Sequence, residues 1–254
     1  MVSDSLHIRS GGVEGSPRLL LLLHGMAGTG DVWRPFTDQL AGVWAGRWMA
    51  VDLAGHGRSP RRARYSFGGL ASDVAATAQG DEVVVVGHSL GGAVGLVLAT
   101  GWFGLNVSTC ATVGMKLDWS DDELAKARQL SARPPKRFPT RAEAASFWLR
   151  LAGLQDVITP VDAMLDGAVV ECEGHWQLTF DNAANAIGGC DAAGLLSASR
   201  ARVVMSRGER DDMVSDDAIR ALGLPSRVLA GAGHNAHVET PTQLIELMAA
   251  EGIL

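Results

Sequence analysis

Ser89 stands in Gly87-His88-Ser89-Leu90-Gly91, with four valines before the motif and the apolar run AVGLVLAT following Gly92. This is a G-x-S-x-G pattern between a predicted strand and a predicted helix, and the chemistry it points to is nucleophilic. The glycines remove side chains where the strand and helix backbones nearly touch, and the sharp turn pushes the serine hydroxyl out at its tip. An ordinary N-cap serine would not need glycine on both sides.

A serine hydroxyl is a poor nucleophile without a base. His24, His56 and His234 all sit near predicted strand ends, besides His88 next to the serine. His234, in AGAGHNAHVETP, follows the last predicted strand and precedes the last helix. That is where the base belongs when serine, acid and histidine occur in that order along the chain. His237 is its rival, three residues on, with packing near the last helix as the plainer role. His24 and His56 read as loop anchors. The base needs a carboxylate to hold its tautomer. VVMSRGERDDMVS supplies Asp211, with Asp212 and Glu209 beside it as alternatives, and Asp118 as the choice if the acid follows the preceding strand. Backbone N–H groups must meet the oxyanion of acyl transfer. Leu90, after the nucleophile, and Met26, in the loop HGMAG, are the candidates.

The elements that must position these residues read as follows. Arg18–Leu23, Trp48–Asp52, Glu82–Val86, Ser108–Val113, Arg202–Ser206 and Arg227–Leu229 are short apolar runs, predicted as strands. Strands apolar throughout and separated by helical stretches indicate a parallel sheet covered on both faces. Helices are predicted at Asp31–Val43, Gly68–Ala78, Leu90–Thr100, Asp216–Leu222 and Thr240–Ala250, the last with Thr240 as N-cap and Pro241 at its first position. The stretch from 116 to 198 breaks the rhythm. It is helical in tone, carries Pro134, Pro135 and Pro139 and includes the alternating piece GAVVECEGHWQLTF. It reads as an insertion over the C-terminal edge of the sheet, where open α/β sheets bind ligands.

The 254 residues are 47% hydrophobic, enough for a substantial core without disulfide or metal support. The net charge of -6 argues against nucleic acid or an anionic membrane as partner. Cys110, Cys172 and Cys190 are odd in number and far apart, which fits reduced thiols in the cytoplasm. MVSDSLHIRSGG has no basic segment followed by an apolar one, so no signal peptide is expected. The run Leu19 to Leu23 is far too short to span a bilayer.

LLLLHGMAGTGDVWRPF, VDLAGHGRS, VVVVGHSLGG, RGERDDMVS and GAGHNAHVETP together resemble the successive signatures of the α/β-hydrolase fold superfamily. The resemblance covers residues 1–115 and 199–254 as core, with 116–198 as a cap insertion. It implies an α/β fold with a mostly parallel eight-stranded sheet, helices on both faces and a helical cap. It also implies a Ser89–His234–Asp211 triad, with no metal and no organic cofactor. A serine nucleophile separates the chain from haloalkane dehalogenases and epoxide hydrolases, which use aspartate. C–C hydrolases of the fold carry tryptophan after the base, where this chain has Asn235. In size and cap length the chain is similar to carboxylesterases that release pimeloyl groups from acyl carrier protein. It is also similar to the small menaquinone-synthesis enzyme, which carries an arginine just beyond the Gly-Gly where Ala93 stands.

The expected activity is therefore hydrolysis of a small carboxylic ester through an acyl-enzyme. A C–C hydrolase or lyase reaction, or a ligand-binding receptor of low turnover, are the alternatives. Trp119, Phe147, Trp148 and Met164 are candidates for an apolar pocket under the cap. The stretch 126–150 holds seven basic residues against one acidic and is a candidate surface for an anionic partner, against the plainer reading of a solvated face. Arg58, Arg61, Arg62 and Arg64 form a second basic run.

Overall fold

The computed structural model describes residues 5–254. Residues 1–4, the head of the stretch expected to lack a leader, lie outside the described residues. Seven strands form one sheet: β1 (Ile8–Gly12), β2 (Arg18–Leu23), β3 (Arg47–Val51), β4 (Glu82–His88), β5 (Val107–Val113), β8 (Arg202–Gly208) and β9 (Ser226–Leu229). Two further strands, β6 (Val169–Cys172) and β7 (His175–Leu178), pair with each other as a separate hairpin. The sheet order is β1-β3-β2-β4-β5-β8-β9, and every pair is parallel except β1 with β3.

The expected eight strands are thus seven among the described residues, and one of the seven has no signal in the sequence. β1 reads IRSGG and its residues alternate between exposed and half-buried. Such a segment extends only because β3 offers it a free edge. The helix predicted over Asp31–Val43 is also corrected. It resolves into a 3-10 turn at Gly30–Trp33, a four-residue helix at Arg34–Thr37 and turns beyond. The Gly30 amide donates to Asp52 Oδ1 at 2.6 Å and the Asp31 carboxylate is buried among Arg9, Arg34 and Arg58, so tertiary partners fix where this segment turns.

Strand alternation divides the core. Leu19, Leu21, Leu23, Val83 and Val85 face one side of the sheet, where they meet Leu70 and Val74 of Phe67–Thr77 and the all-buried helix Leu90–Ala99. Leu20, Leu22, Val84 and Val86 face the other, against Trp33, Phe36 and the last helix, Pro241–Ala250. Pro241 begins that helix as expected, but the Thr240 hydroxyl donates back to the Ala236 carbonyl at 3.2 Å because a short helix, Ala236–Glu239, ends immediately before it.

Residues 116–198 lie between β5 and β8. Helix Asp121–Ser131 is set by a capping box of Ser120 and Glu123 and buries none of its residues fully. Helix Arg141–Leu151 is capped by Thr140 and buries Ala144, Ala145, Trp148 and Leu149, the i, i+4 stripe expected of a half-buried helix. The alternating piece forms the β6–β7 hairpin around Glu173 and Gly174, both at positive φ, as a two-residue turn requires. Trp148 fastens this segment to the body. It is fully buried, and its indole N–H donates to the Ala27 carbonyl at 2.7 Å.

Trp148→Ala is expected to lower stability by about 3–5 kcal/mol through loss of the buried ring. Trp148→Phe should cost about 1–3 kcal/mol, because the Ala27 carbonyl loses its donor. Denaturant melts of both variants check this, and a Phe variant as stable as wild type would exclude any role for the hydrogen bond.

Candidate active site

Ser89 lies between β4 and helix Leu90–Ala99 with φ 49° and ψ -112°, a strained conformation for a residue with a β-carbon. The turn closes because glycine stands on either side. A β-carbon on Gly87 would fall on the Gly91 carbonyl, and one on Gly91 would fall on the carbonyl of Leu23. The Ser89 amide donates to the Val113 carbonyl of β5 at 2.9 Å, which pins the turn to the neighbouring strand. The loop after β2 packs against it: a β-carbon on Gly25 would lie 3.3 Å from the Ser89 β-carbon.

His234 and Asp211 come from the loops after β9 and β8. His234 Nδ1 donates to Asp211 Oδ2 at 3.0 Å, and the other carboxylate oxygen accepts the Met213 amide at 2.9 Å. The Asp211 side chain is fully buried, whereas that of His234 is 23% exposed. With Nδ1–H hydrogen-bonded to Asp211, Nε2 is left as the basic nitrogen. The alternatives left open by the sequence separate here. Asp212, Glu209 and Asp118 are exposed, and the Glu209 carboxylate instead accepts the Gly231 amide. His237 is fully buried between the rings of Trp33 and His88, at centroid distances of 4.6 and 4.3 Å.

His24 and His56 bond to their own loops. The Leu53 amide donates to His24 Nε2 at 2.9 Å, so His24 Nδ1 carries the proton and donates to the Gly25 carbonyl, tying together the loops after β2 and β3. His56 Nδ1 donates to the Ala54 carbonyl at 3.1 Å. Burial pushes the pKa of His24 down to about 4 and those of His56 and His237 to about 3, and it holds His88 well below the ordinary value. Among the described residues no group of three His, Cys, Asp or Glu gathers in a way that could hold a metal ion.

Two cavities meet at Ser89, and Met26 and Met213 line both. The larger, about 320 Å³, runs over Phe67, Leu90, Met115, Trp119, Leu130 and Ile187, with Lys116, Glu123 and Lys126 at its edge. The smaller, about 270 Å³, contains His234, Asn235, His88 and residues 150–154. Of the four pocket candidates, Trp119 lines the larger cavity. Phe147, Trp148 and Met164 line neither. Trp148 is buried in the core because its face of the helix turns to the body, Met164 is buried there from a 3-10 turn at Ala163–Leu165, and Phe147 on the flank borders a separate cavity with Leu130, Leu151 and Phe180.

The sequence profile of the Alpha/beta hydrolase family matches residues 20–247. The chain belongs to that family. Lipase LipV of Mycobacterium tuberculosis is 41% identical over 102 residues, 39% of this chain and 37% of the lipase, so the match spans little more than a third of that relative. A 2-succinyl-6-hydroxy-2,4-cyclohexadiene-1-carboxylate synthase of Yersinia enterocolitica is 29% identical over 234 residues, covering 87% of this chain and 82% of the synthase. Among solved structures, the thioesterase domain from the curacin biosynthetic pathway superposes with a TM-score of 0.76 at 20% identity, over 96% of this chain and 94% of that one. No described helix is long and apolar enough to cross a membrane.

Three residues that hold this hydrolase-family site carry no signal in the sequence. Glu239 accepts the amides of Gly233 and Asn235 at 2.7 and 3.1 Å, gripping the loop on both sides of His234. His88 donates from Nε2 to the His234 carbonyl at 3.0 Å, so the histidine beside the serine positions the loop that bears His234. Gly114 has φ 61°, and a β-carbon there would lie 3.0 Å from the His234 carbonyl and 3.1 Å from Asp211 Oδ2. The sequence offers a glycine after a strand, but nothing that joins it to residues a hundred positions away.

His24, His56, His88 and His237 are neutral in the fold yet protonate near pH 6.5 when unfolded. Stability contributed by a histidine with a lowered native pKa is fully present above 6.5 and is lost as pH falls toward that native value, at up to about 1.4 kcal/mol per pH unit for each. Thermal melts are therefore expected to fall steadily from pH 7 to pH 5, before most carboxylates titrate. A melting temperature flat across that range would show that these histidines are not buried neutral.

Proposed function

We propose that the chain is a serine hydrolase that cleaves a small carboxylic ester through an acyl-enzyme, acting in the cytoplasm. The observation that carries this reading is the buried Asp211 carboxylate bonded to His234, which lines one cavity together with Ser89. Ser89 attacks the carbonyl carbon while His234 Nε2 takes the hydroxyl proton. Asp211 keeps the imidazole in the required tautomer and stabilises its cation. The amides of Met26 and Leu90 receive the oxyanion: Leu90 is the first residue of its helix, where an N–H has no carbonyl one turn back to meet, and Met26 follows the glycine packed against Ser89. His234 then protonates the leaving alcohol, activates water and returns the enzyme to its start. In this reading residues 1–115 and 199–254 are the catalytic core and 116–198 the cap, with Trp119 in the acyl pocket. The lipase, the esterases among the structural neighbours and the thioesterase domain all support bond cleavage at an acyl carbon.

The lyase reading is favoured by the synthase, whose similarity runs along most of both chains. In it His234 and Ser89 act as acid–base machinery for an elimination. Ala93, 4% exposed, occupies the place where the menaquinone enzyme carries an arginine, which weighs for the ester reading.

Ser89→Ala and Asp211→Asn should each lower turnover of p-nitrophenyl butyrate about a thousandfold or more without changing the melting temperature by more than a few degrees. A fluorophosphonate probe should label wild type at Ser89 only. Labelled protein that hydrolyses no ester, thioester or lactone would move the assignment to a receptor or a lyase.

A further inference from the structure

Two cavities reach Ser89, and only the smaller contains His234. Under the ester-hydrolase reading, on which this inference rests, that asymmetry sorts the two halves of the substrate. The departing alcohol takes its proton from the base, so it must depart on the side where His234 stands. The acyl chain then occupies the larger cavity, against Phe67, Leu90, Met115 and Trp119.

Arg150 lines the smaller cavity and also a groove of about 540 Å³ along helix Arg141–Leu151. That groove carries Lys136, Arg137 and Arg150 against one carboxylate, Glu143. Arg141 on the same helix is neutralised by Asp166 at 2.9 Å, but none of the three groove cations forms an ion pair among the described residues. Lys136 Nζ lies 5.1 and 4.6 Å from the ring centroids of Phe138 and Phe147, and the Arg150 guanidinium 6.0 Å from Phe147. Aromatic faces steady these cations without cancelling their charge. In a chain of net charge -6, the groove that shares Arg150 with this cavity is therefore locally positive.

We propose that the leaving group of the substrate carries an oxyanion, a carboxylate or a phosphate, which Arg150 and Lys136 hold in this groove while the ester carbonyl sits at Ser89. In the acylation step the Ser89 Oγ–carbonyl bond forms, the bond to the leaving oxygen breaks, and the proton taken from Ser89 passes through His234 to the departing alcohol. Water then cleaves the acyl-serine, regenerating the hydroxyl and releasing the acid.

The test uses butyrate esters of 4-hydroxybenzoate, 4-hydroxyphenyl phosphate and 4-hydroxybenzamide, with kcat/KM normalised to each ester's rate in alkali. Wild type should favour at least one anionic ester over the neutral amide by about fivefold, the size of an exposed charge contact. The anion preferred identifies the group. Arg150→Gln and Lys136→Gln should each lower that ratio toward one and remove its salt dependence. Arg128→Gln, a cation of the same basic stretch outside both linings, should keep it. Equal normalised rates in wild type, or a preference that survives both substitutions, would overturn the proposal. Failure of wild type to cleave any of the three esters would instead strike the hydrolase reading itself.

Discussion

The close approach of three backbone segments around Ser89 is the constraint on which the rest depends. The end of β2, the end of β4 and the first turn of helix Leu90–Ala99 touch through Gly25, Gly87 and Gly91, where any β-carbon would overlap a neighbouring atom. The contact forces Ser89 to positive φ, at a cost of order 1–3 kcal/mol. The burial that offsets it is close at hand, since β2 from Leu19 on, β4 from Val83 on and the whole helix are shielded from water. The apolar flanks are what hold a strained polar turn open at the sheet edge.

Around that turn, histidines serve as struts. His24 joins two loops through both ring nitrogens, His88 holds the carbonyl of His234, and His237 is pressed between Trp33 and His88. Burial keeps this set neutral, whereas His234 alone among these loop histidines faces a carboxylate and retains partial exposure. The imidazoles around Ser89 are thus divided by environment, with His234 bonded to a carboxylate beside the cavity and the others buried in packing and loop contacts.

The two basic runs of the sequence meet different ends. In the first, Arg58 turns to the buried Asp31 and Arg62 pairs with Asp73 at 3.0 Å, so much of its charge serves the fold. In the second, Arg141 is paired while Lys136, Arg137 and Arg150 line a groove that shares Arg150 with the cavity of Ser89 and His234. Counting charges along the chain cannot separate these outcomes, because the neutralising carboxylates come from distant segments.

The sequence alone determined the parts whose causes are local. Apolar runs mark six of the seven sheet strands, because a strand covered on both faces must be apolar throughout. The glycines about Ser89 mark the tight turn, because close backbone approach restricts residue type, and the order of Ser89, Asp211 and His234 names the candidate site. Tertiary structure decided what depends on a partner. β1 is a strand because β3 has an open edge, and the segment after Gly30 breaks because Asp52 and three arginines grip it. Trp148 and Met164 belong to the core and Trp119 to the cavity because the packing of residues 116–198 on the body, which residue type does not encode, sets which side each faces. Glu239, His88 and Gly114 acquire their places around His234 only when loops far apart in sequence meet above one sheet edge.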